Sequence, residues 1–312
     1  MSISSNSNIL EIEGDKFYEL NPPFNFAGLE PRYSKFRNSW AVIVPVPYDA
    51  TTTFQAGTRN GPPQIIQASQ QLELYDEETD TEVFRKGICT LSPILPDVTS
   101  PENMVKKVQK VISWIKKEGK FPVLLGGEHL VAVGSIKGVN ESDDFTIIHF
   151  DAHADLRESY QGSRFSNACV MRLVADLDFV SVGVRSLSRE EHLFMKEEKI
   201  HCVYARDVVE NRDYALKRVL ESAGKKTYLT IDLDVLDPSV MPSVGTPEPG
   251  GISWWDLLYF LRAICRESRV IGFDVVELLP QPGNIAPDFL AAKLVYKILS
   301  YVAYYLDKKS NL

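Results

Sequence analysis

Clusters of histidine and carboxylate side chains are the residues of this sequence best suited to chemistry. The clearest cluster is His149-Phe150-Asp151-Ala152-His153-Ala154-Asp155, which directly follows an apolar, β-rich segment. An extended segment projects residues i, i+2 and i+4 to one side, so Asp151, His153 and Asp155 can converge on one point. Three such side chains on one face are costly to bury without a cation. The pattern therefore indicates a metal site rather than a solvated acidic loop.

Two other motifs carry side chains of the same kind. The apolar run that begins at Tyr228 ends in two carboxylates, Asp232 and Asp234, and a strand followed by Gly126-Gly127-Glu128 leads to His129. Each motif alone also fits a strand end or a helix cap. Ligands in open α/β sheets gather beyond the carboxyl ends of the strands, and all three motifs follow apolar strand candidates. Beside the first cluster, both motifs therefore indicate metal ligation.

The number and type of these donors favour two metal ions over one. The candidate ligands are two imidazoles and four carboxylates: His129, Asp151, His153, Asp155, Asp232 and Asp234. A single catalytic zinc ion usually takes three protein ligands, so this set is too large for it. Carboxylate-rich ligation suits a harder ion such as Mn²⁺, and bridging aspartates serve pairs of ions. The set predicts metal-assisted hydrolysis of an unreactive carbon centre or of a phosphoester, so a phosphatase remains open on the ligands alone.

The segments between these motifs predict the elements that position them. Nearly continuous apolar runs, typical of parallel strands covered on both faces, lie at 40–46, 121–125, 145–150, 179–184, 201–204, 228–233 and 270–276. Apolar residues at helical spacing lie at 102–117, 190–198, 212–222, 253–266 and 287–306. This alternation predicts an α/β fold: a single three-layer α/β/α domain with a mostly parallel sheet. Residues 1–35 are predicted to form an arm that packs on the body or on a neighbouring subunit.

Composition excludes several classes of partner. The net charge of −8 argues against nucleic acid and against an anionic membrane surface, but it is compatible with a small cationic substrate. We find no targeting signal, and we expect no apolar run of the ~20 residues that a membrane span needs. The four cysteines, Cys89, Cys169, Cys202 and Cys265, are far apart and form no CxxC pair. They indicate reduced thiols in a cytoplasmic protein.

The clusters, together with motifs elsewhere in the chain, resemble the ureohydrolase family of arginases and agmatinases, and its agmatinase branch most closely. The resemblance covers nearly the whole chain, and the matching motifs stand in the family's order. They are Pro-Tyr-Asp-Ala-Thr-Thr (47–52), Gly-Thr-Arg-Asn-Gly-Pro (57–62), Gly-Gly-Glu-His (126–129), Asp-Ala-His-Ala-Asp (151–155), Gly-Val-Arg-Ser (183–186), Ile-Asp-Leu-Asp-Val-Leu-Asp-Pro (231–238), Gly-Thr-Pro-Glu-Pro-Gly-Gly (245–251) and Gly-Phe-Asp-Val-Val-Glu (272–277). The resemblance implies an arginase-type sheet, a catalytic domain over residues 36–312 and a homo-oligomer, either a trimer or a hexamer.

The resemblance also implies roles for single residues. One Mn²⁺ would be held by His129, Asp151, Asp155 and Asp232. The other would be held by Asp151, His153, Asp232 and Asp234, so that Asp151 and Asp232 bridge. Asp155 would in addition hydrogen-bond the attacking hydroxide and help to relay its proton. Glu277 would pair with the substrate guanidinium, a planar cation suited to bidentate contact with a carboxylate.

The implied reaction is hydrolysis of a guanidino group to urea and an amine. The polar segment that receives the α-carboxylate in arginases is absent between Asp155 and Ala168. Its absence favours agmatine, which would give putrescine, or an aminopropylagmatine-type polyamine guanidine, over arginine. The loop of residues 156–167 would line the entrance and set specificity, with Arg164 and Asn167 as substrate contacts. Another guanidino acid, or guanidine itself, remains an alternative substrate.

One departure from the family concerns the proton shuttle. Agmatinase-like sequences typically read Tyr/Phe-Ser-His-Ala-Cys where this chain has Phe165-Ser166-Asn167-Ala168-Cys169. An asparagine can hydrogen-bond but cannot titrate, so Asn167 cannot donate a proton to the leaving amine. General acid–base help of this kind is typically worth ~10²–10⁴ in rate. An altered substrate or mechanism, a variant weakened for substrate capture and a low-activity homologue are the explanations left open.

Two rival functions are open at this point. A deacetylase-type amidohydrolase shares the fold class, but it normally needs a single-zinc Asp/His/Asp set and a pair of histidines for acid–base work. Neither is evident in the sequence. The other rival is a non-catalytic protein that keeps the ureohydrolase scaffold, which Asn167 favours. The complete set of metal-type residues argues against it.

Overall fold

The computed structural model describes residues 23–140 and 144–310 of the chain. Most of the arm predicted at residues 1–35 lies outside these ranges, so its packing stays a prediction. The described part of that segment lies against the body. Phe26 is fully buried, and its backbone N–H donates to Thr90 Oγ1 at 2.9 Å.

Eight strands form one sheet in the described residues. They are β1 (Ala41–Val46), β2 (Ile88–Thr90), β3 (Phe121–Gly126), β4 (Thr146–Phe150), β5 (Phe179–Val184), β6 (His201–Tyr204), β7 (Lys226–Asp232) and β8 (Arg269–Val276). Their order across the sheet is β2-β1-β3-β8-β7-β4-β5-β6, and each neighbouring pair is parallel. Every residue of β1, β3 and β4 is buried, as expected of strands covered on both faces.

Helices cover both faces of this sheet. The described helices are α1 (Pro31–Ser34), α2 (Gly61–Ser69), α3 (Pro101–Lys117), α4 (Leu130–Val139), α5 (Arg189–Glu197), α6 (Ala205–Glu210), α7 (Arg212–Ser222), α8 (Trp254–Glu267) and α9 (Ala286–Ser310). Apolar residues of α2, α7, α8 and α9 form one core with one face of the sheet. Those of α3, α4 and α5 form a second core with the other face. The predicted three-layer α/β/α fold is confirmed.

Helix α3 shows how local sequence sets an element. Ser100 caps its first turn, because the Ser100 hydroxyl accepts from the Asn103 N–H at 3.1 Å, and Pro101 occupies the first helical position. Its buried residues include Met104, Val108 and Ile112, which recur at helical spacing and face the second core. The cap and the apolar stripe together place α3 beside α4.

Helix α9 corrects one expectation from the sequence. By length and composition its residues Ala286–Lys309 are sufficient to cross a membrane, with a mean hydropathy of 1.2 over an 18-residue window. The expectation that no apolar run reaches that length is therefore wrong. The helix is apolar because it is a core element: Leu294, Val295 and Ile298 are fully buried against the sheet and its neighbours.

Other differences from the sequence predictions concern short elements and boundaries. Strand β2 and helices α1, α2 and α6 were not predicted, because each is too short or too rich in turn residues to show a period. Helix α2, for example, begins at Gly61-Pro62-Pro63, which reads as a loop in isolation. No range was predicted for α4 either, because nearly all of its residues are buried and it shows no polar face. The predicted strands and most predicted helices agree with the structure to within two residues at each end, while α9 runs four residues beyond its predicted end.

Candidate active site

Strands β3, β8, β7 and β4 are consecutive neighbours in the sheet, and their carboxyl ends lie side by side at the same edge. After β3 the backbone turns through Gly126-Gly127 towards His129. A Cβ on Gly127 would lie 2.1 Å from the Tyr48 carbonyl oxygen, so this close approach requires glycine. The turn delivers the His129 imidazole to the centre of the sheet edge, directly before α4.

The two ring nitrogens of His129 have different surroundings: Nε2 contacts a threonine that orients the ring, and Nδ1 faces the carboxylates. Its Nε2 lies 2.8 Å from Thr230 Oγ1, and the Thr230 hydroxyl donates to Asp274 Oδ1 at 2.8 Å. Its Nδ1 lies 3.0 Å from Asp151 Oδ2, 3.2 Å from Asp155 Oδ2 and 3.5 Å from Asp232 Oδ2. Although it is buried, Nδ1 has no hydrogen-bond partner. A buried imidazole nitrogen on which three carboxylate oxygens converge is an arrangement that fits a shared metal ion.

A second group of donors lies beside the first. His153 Nδ1 lies 2.9 Å from Asp234 Oδ2 and 3.4 Å from Asp151 Oδ1, so Asp151 belongs to both groups. Backbone donors fix these carboxylates: the Ala152 N–H donates to Asp234 Oδ1 at 3.0 Å, and the Asp234 N–H donates to Asp232 Oδ1 at 2.8 Å. The structure thus brings all six candidate ligands together, around two adjacent points.

His149 also approaches the first group, but its nitrogens are occupied. Its Nε2 lies 2.9 Å from Asp151 Oδ2, and its Nδ1 lies 3.0 Å from Ser181 Oγ. The side chain is fully buried. With both nitrogens hydrogen-bonded, His149 orients Asp151 rather than adding a free donor.

The electrostatics of the cluster favour a cation. Burial raises the pKa of Asp232 well above its usual value, and the carboxylates of Asp234 and Asp151 raise it further. Burial and the Asp151 carboxylate raise the pKa of Asp155 to about 6. Burial lowers the pKa of His129, but the surrounding carboxylates outweigh burial and hold this pKa well above the usual histidine value. The cluster therefore attracts positive charge, and its donors fit a pair of divalent ions.

The ligand cluster opens into a cavity of about 250 Å³. Glu277, at the end of β8, and Asn167, in the turn Asn167–Cys169, both line it. Arg164 is exposed and is not among the lining residues, whereas Arg157 and Tyr160 of the same loop are. The cavity thus has metal-type side chains at its base and the predicted guanidinium partner on its wall.

Glu277 is a buried carboxylate without a cationic partner in the described ranges. Its Oε1 accepts from the His129 N–H at 2.7 Å, and burial together with the Glu128 carboxylate raises its pKa well above the usual value. Glu277 has a φ of 67° and Asp155 a φ of 53°, a region that residues other than glycine rarely occupy. Such backbone strain is common at functional sites, and both predicted catalytic carboxylates have it, although Ala27, Asp80, Gln161 and Lys199 also have a positive φ outside the ligand cluster.

The sequence did not predict the residues that orient the candidate ligands and their neighbours through hydrogen bonds. Thr230 and Asp274 orient His129, Thr51 bonds to Glu128, and the Arg185 guanidinium reaches several backbone carbonyls beside Asp234. Arg185 and Glu128 lie inside motifs that the sequence singled out. Their partners are 49 and 77 residues away along the chain, and no local pattern shows such pairs.

Comparisons with known proteins agree with this geometry. A family model described as the Arginase family matches residues 39–300. The N(1)-aminopropylagmatine ureohydrolase of a Synechocystis species is 36% identical over 277 residues, which cover 86% of this chain and 90% of that protein. The agmatinase of Pyrococcus horikoshii is 35% identical over 269 residues, which cover 84% of this chain and 92% of that protein.

Solved structures extend the similarity to the fold. The agmatine ureohydrolase of Thermoplasma volcanium superposes with a TM-score of 0.84 at 28% identity, over 94% of this chain and 99% of that chain. Residues 39–300, which the family model matches, include the six candidate ligands and Glu277.

Proposed function

Since the chain belongs to the arginase family, we propose that it hydrolyses a guanidino substrate to urea and an amine with two Mn²⁺ ions. The resemblance drawn from its motifs is confirmed, and its relatives are ureohydrolases, which cleave C–N bonds. One observation carries the proposal. The Glu277 carboxylate and the cluster of metal-type side chains share one cavity, so a guanidinium bound to Glu277 would lie beside the cluster.

Agmatine and N(1)-aminopropylagmatine are the substrates that we propose. The relatives named above carry these two substrates in their names. The short loop between Asp155 and Ala168 supports the same choice, since it lacks the polar segment that would receive an α-carboxylate. Hydrolysis of agmatine would yield putrescine and urea.

The proposed metal ligands follow the two groups of donors. His129, Asp151, Asp155 and Asp232 would hold one ion, and Asp151, His153, Asp232 and Asp234 the other. The lone Nδ1 of His129 and the shared position of Asp151 support this assignment. When bound, two divalent ions lower the pKa of a water molecule and stabilise the charge that develops at the attacked carbon.

The chain's own side chains would bind the substrate and move protons. Glu277 would pair with the guanidinium and hold its carbon above the ligand cluster, which relieves the cost of a buried, unpaired carboxylate. Asp155, whose pKa is raised to about 6, would take the proton of the attacking water. Asn167 would hydrogen-bond the substrate without supplying a proton to the leaving amine.

A urea-release assay on the Mn²⁺-loaded protein tests this function. The substrates are agmatine, N(1)-aminopropylagmatine, guanidinobutyrate, arginine and guanidine, and we expect one of the first two to give the highest kcat/KM. Glu277→Gln keeps an oxygen for the His129 N–H but loses the charge. We expect it to lower kcat/KM by about 10- to 150-fold, from a charged hydrogen bond worth ~1.5–3 kcal/mol, with unchanged metal content.

The matched control for that variant is Glu158→Gln. Glu158 is exposed in the entrance loop and does not line the cavity, so this change should leave kcat/KM unaltered. Wild-type protein that holds two metal ions and yet releases no urea from any of the five compounds contradicts the proposal. That outcome favours a non-catalytic homologue.

We further propose a cytoplasmic location and a homo-oligomeric assembly, either a trimer or a hexamer. The four cysteines are all free and buried, which suits a reducing compartment. The net charge of −8 supports a small cationic substrate rather than nucleic acid or a membrane surface as partner. Light scattering of the purified protein measures the assembly directly.

A further inference from the structure

The buried carboxylate of Glu128, next to the ligand cluster, accepts hydrogen bonds from Thr51, which is 77 residues away along the chain. Glu128 has no exposed surface, and both of its oxygens accept from Thr51. The Thr51 N–H donates to Oε2 at 2.6 Å and the Thr51 hydroxyl donates to Oε1 at 2.7 Å. Glu128 therefore fixes the position of Thr51, and its carboxylate would lose both of these partners if Thr51 moved.

The Thr51 hydroxyl has a second contact, with the segment that begins at Asn167. While it donates to Glu128, it accepts from the backbone N–H of Asn167 at 3.1 Å. Asn167 begins the short turn Asn167–Cys169, so this bond sets where the turn starts. A single hydroxyl thus joins the segment after β1, the segment after β3 and the loop after β4.

The residues on either side of these bonds line the cavity. Thr52, Thr53, Phe54 and Gln55 directly follow Thr51 and form one side of the cavity, and Asn167 and Ala168 form another. The distance between the two sides is what a substrate would meet. The Thr51 hydroxyl links the two sides through its hydrogen bond with the Asn167 N–H.

We propose that Thr51 is a positioning residue, which fixes Asn167 and the segment 52–55 at the spacing that the guanidino substrate needs. The proposal rests on the proposed function for its substrate. Glu128 holds Thr51 through two hydrogen bonds, and Thr51 in turn holds the backbone of Asn167 through a third. In the described residues, the hydrogen bonds of the Thr51 hydroxyl go to Glu128 and Asn167 and not to a candidate metal ligand.

Two variants of Thr51 separate its hydroxyl from its shape. Thr51→Val keeps the size and the backbone bond to Glu128 but removes the hydroxyl, whereas Thr51→Ser keeps the hydroxyl. The matched control is Thr79→Val. Thr79 is a buried threonine whose N–H and hydroxyl both donate to one carboxylate, that of Asp76, as those of the partly buried Thr51 donate to Glu128, and it lies outside the cavity.

Hydrogen exchange of the Asn167 amide tests the bond without any substrate. We expect exchange at residues 165–169 to accelerate about 10-fold or more in Thr51→Val, and to stay near the wild-type rate in Thr51→Ser and Thr79→Val. An unchanged rate in Thr51→Val, or the same acceleration in Thr79→Val, overturns the proposal.

Kinetics of urea release then separate positioning from simple loss of stability. We expect Thr51→Val to raise KM for the preferred substrate about 10-fold, with a smaller effect on kcat and full metal content, and Thr51→Ser to restore KM. If KM stays raised in Thr51→Ser, the proposal is contradicted. It is also contradicted if Thr51→Val lowers only kcat, in proportion to its loss of thermal stability. If the wild type releases no urea, the proposed function fails, and the exchange experiment still decides the role of Thr51.

Discussion

At the scale of single residues, Asn167 is the side chain that most separates this chain from its family's pattern. It lines the cavity, its backbone is held by Thr51, and its Oδ1 lies 3.3 Å from Ser166 Oγ. Its amide can orient a substrate nitrogen, but it cannot change its charge between the steps of a reaction. The ligand cluster beside it contains every donor that the motifs predict, so we expect the difference to concern proton transfer alone.

Restoring a titratable group at this position should raise the rate. We expect Asn167→His to increase kcat for urea release by ~10² or more, the lower end of what general acid–base catalysis contributes. Asn167→Gln keeps an amide of similar size to histidine and should show no gain. Equal turnover in wild type and Asn167→His, with equal metal content, rejects the shuttle argument for this protein.

At the scale of elements, Arg185 joins three segments around the second group of donors. Its guanidinium lies within 2.7–3.4 Å of carbonyl oxygens that belong to the end of β5, the turn after β7 and the loop that follows that turn. These are the carbonyls of Gly183, Asp234, Val235, Leu236, Glu248 and Pro249. A planar group with five N–H donors can satisfy such a ring of acceptors, and a lysine cannot.

Replacing Arg185 should therefore loosen the metal site. We expect Arg185→Lys to weaken Mn²⁺ affinity about 10- to 100-fold, since the backbone of Asp234 loses its support, and to lower thermal stability. Titration calorimetry and a melting curve measure the two effects. Arg206→Lys, at a position where the side chain is 84% exposed, is the control and should change neither. If Arg185→Lys binds Mn²⁺ as tightly as the wild type, Arg185 is not needed to position Asp234.

The elements also show what the sequence could and could not predict. Strands β3, β4, β7 and β8 were predicted because their residues are buried on both faces and read as continuous apolar runs. Strand β2 has three residues and lies at the edge of the sheet, which is too little for a pattern. The order of the strands depends on contacts between distant segments, so the insertion of β8 between β3 and β7 was not readable.

For the candidate site, the role of Glu277 came from the family resemblance. Residue type and spacing pointed to the six candidate ligands, each of which lies at or just beyond the carboxyl end of a strand. They did not predict Thr51, Thr230 or Asp274. These residues act through hydrogen bonds to partners that are far away in sequence, such as Thr230 and His129, separated by 101 positions. Threonine and aspartate are common at strand ends, so their types alone carry no signal.

At the scale of the whole molecule, the metal site should stabilise the fold. Ligands from three strand ends meet there, so ions that bind only the folded chain shift the unfolding equilibrium. Free Mn²⁺ at 100 times its Kd is worth about 2.7 kcal/mol per site, or roughly 5 °C in Tm for a chain of this length. We expect removal of metal with a chelator to lower Tm by at least this amount.

This gain should depend on pH in a defined direction. The pKa of Asp155 is raised to about 6, so the metal-free folded chain keeps a proton that the unfolded chain releases near pH 4. That contribution to metal-free stability is lost as the pH rises through about 6. Mn²⁺ competes with this proton and with those held by His129 and Asp232, whose pKa values are also raised, so the rise in Tm on adding Mn²⁺ should increase from pH 5 to pH 8. A rise in Tm that is constant from pH 5 to pH 8 contradicts this assignment.

The order of the strands has a consequence for how the protein is made. Of the described strands, β8 is the last to leave the ribosome, yet it lies between β3 and β7 and is hydrogen-bonded to both. A nascent chain that ends before residue 269 therefore holds two sheet fragments, one that leads to His129 and one that leads to the aspartates and His153. The donors of the first group lie on both sides of the gap that β8 closes. The first group of donors can therefore assemble only after β8 has joined the sheet, so a metal ion that needs this whole group would bind only once residue 276 has left the ribosome.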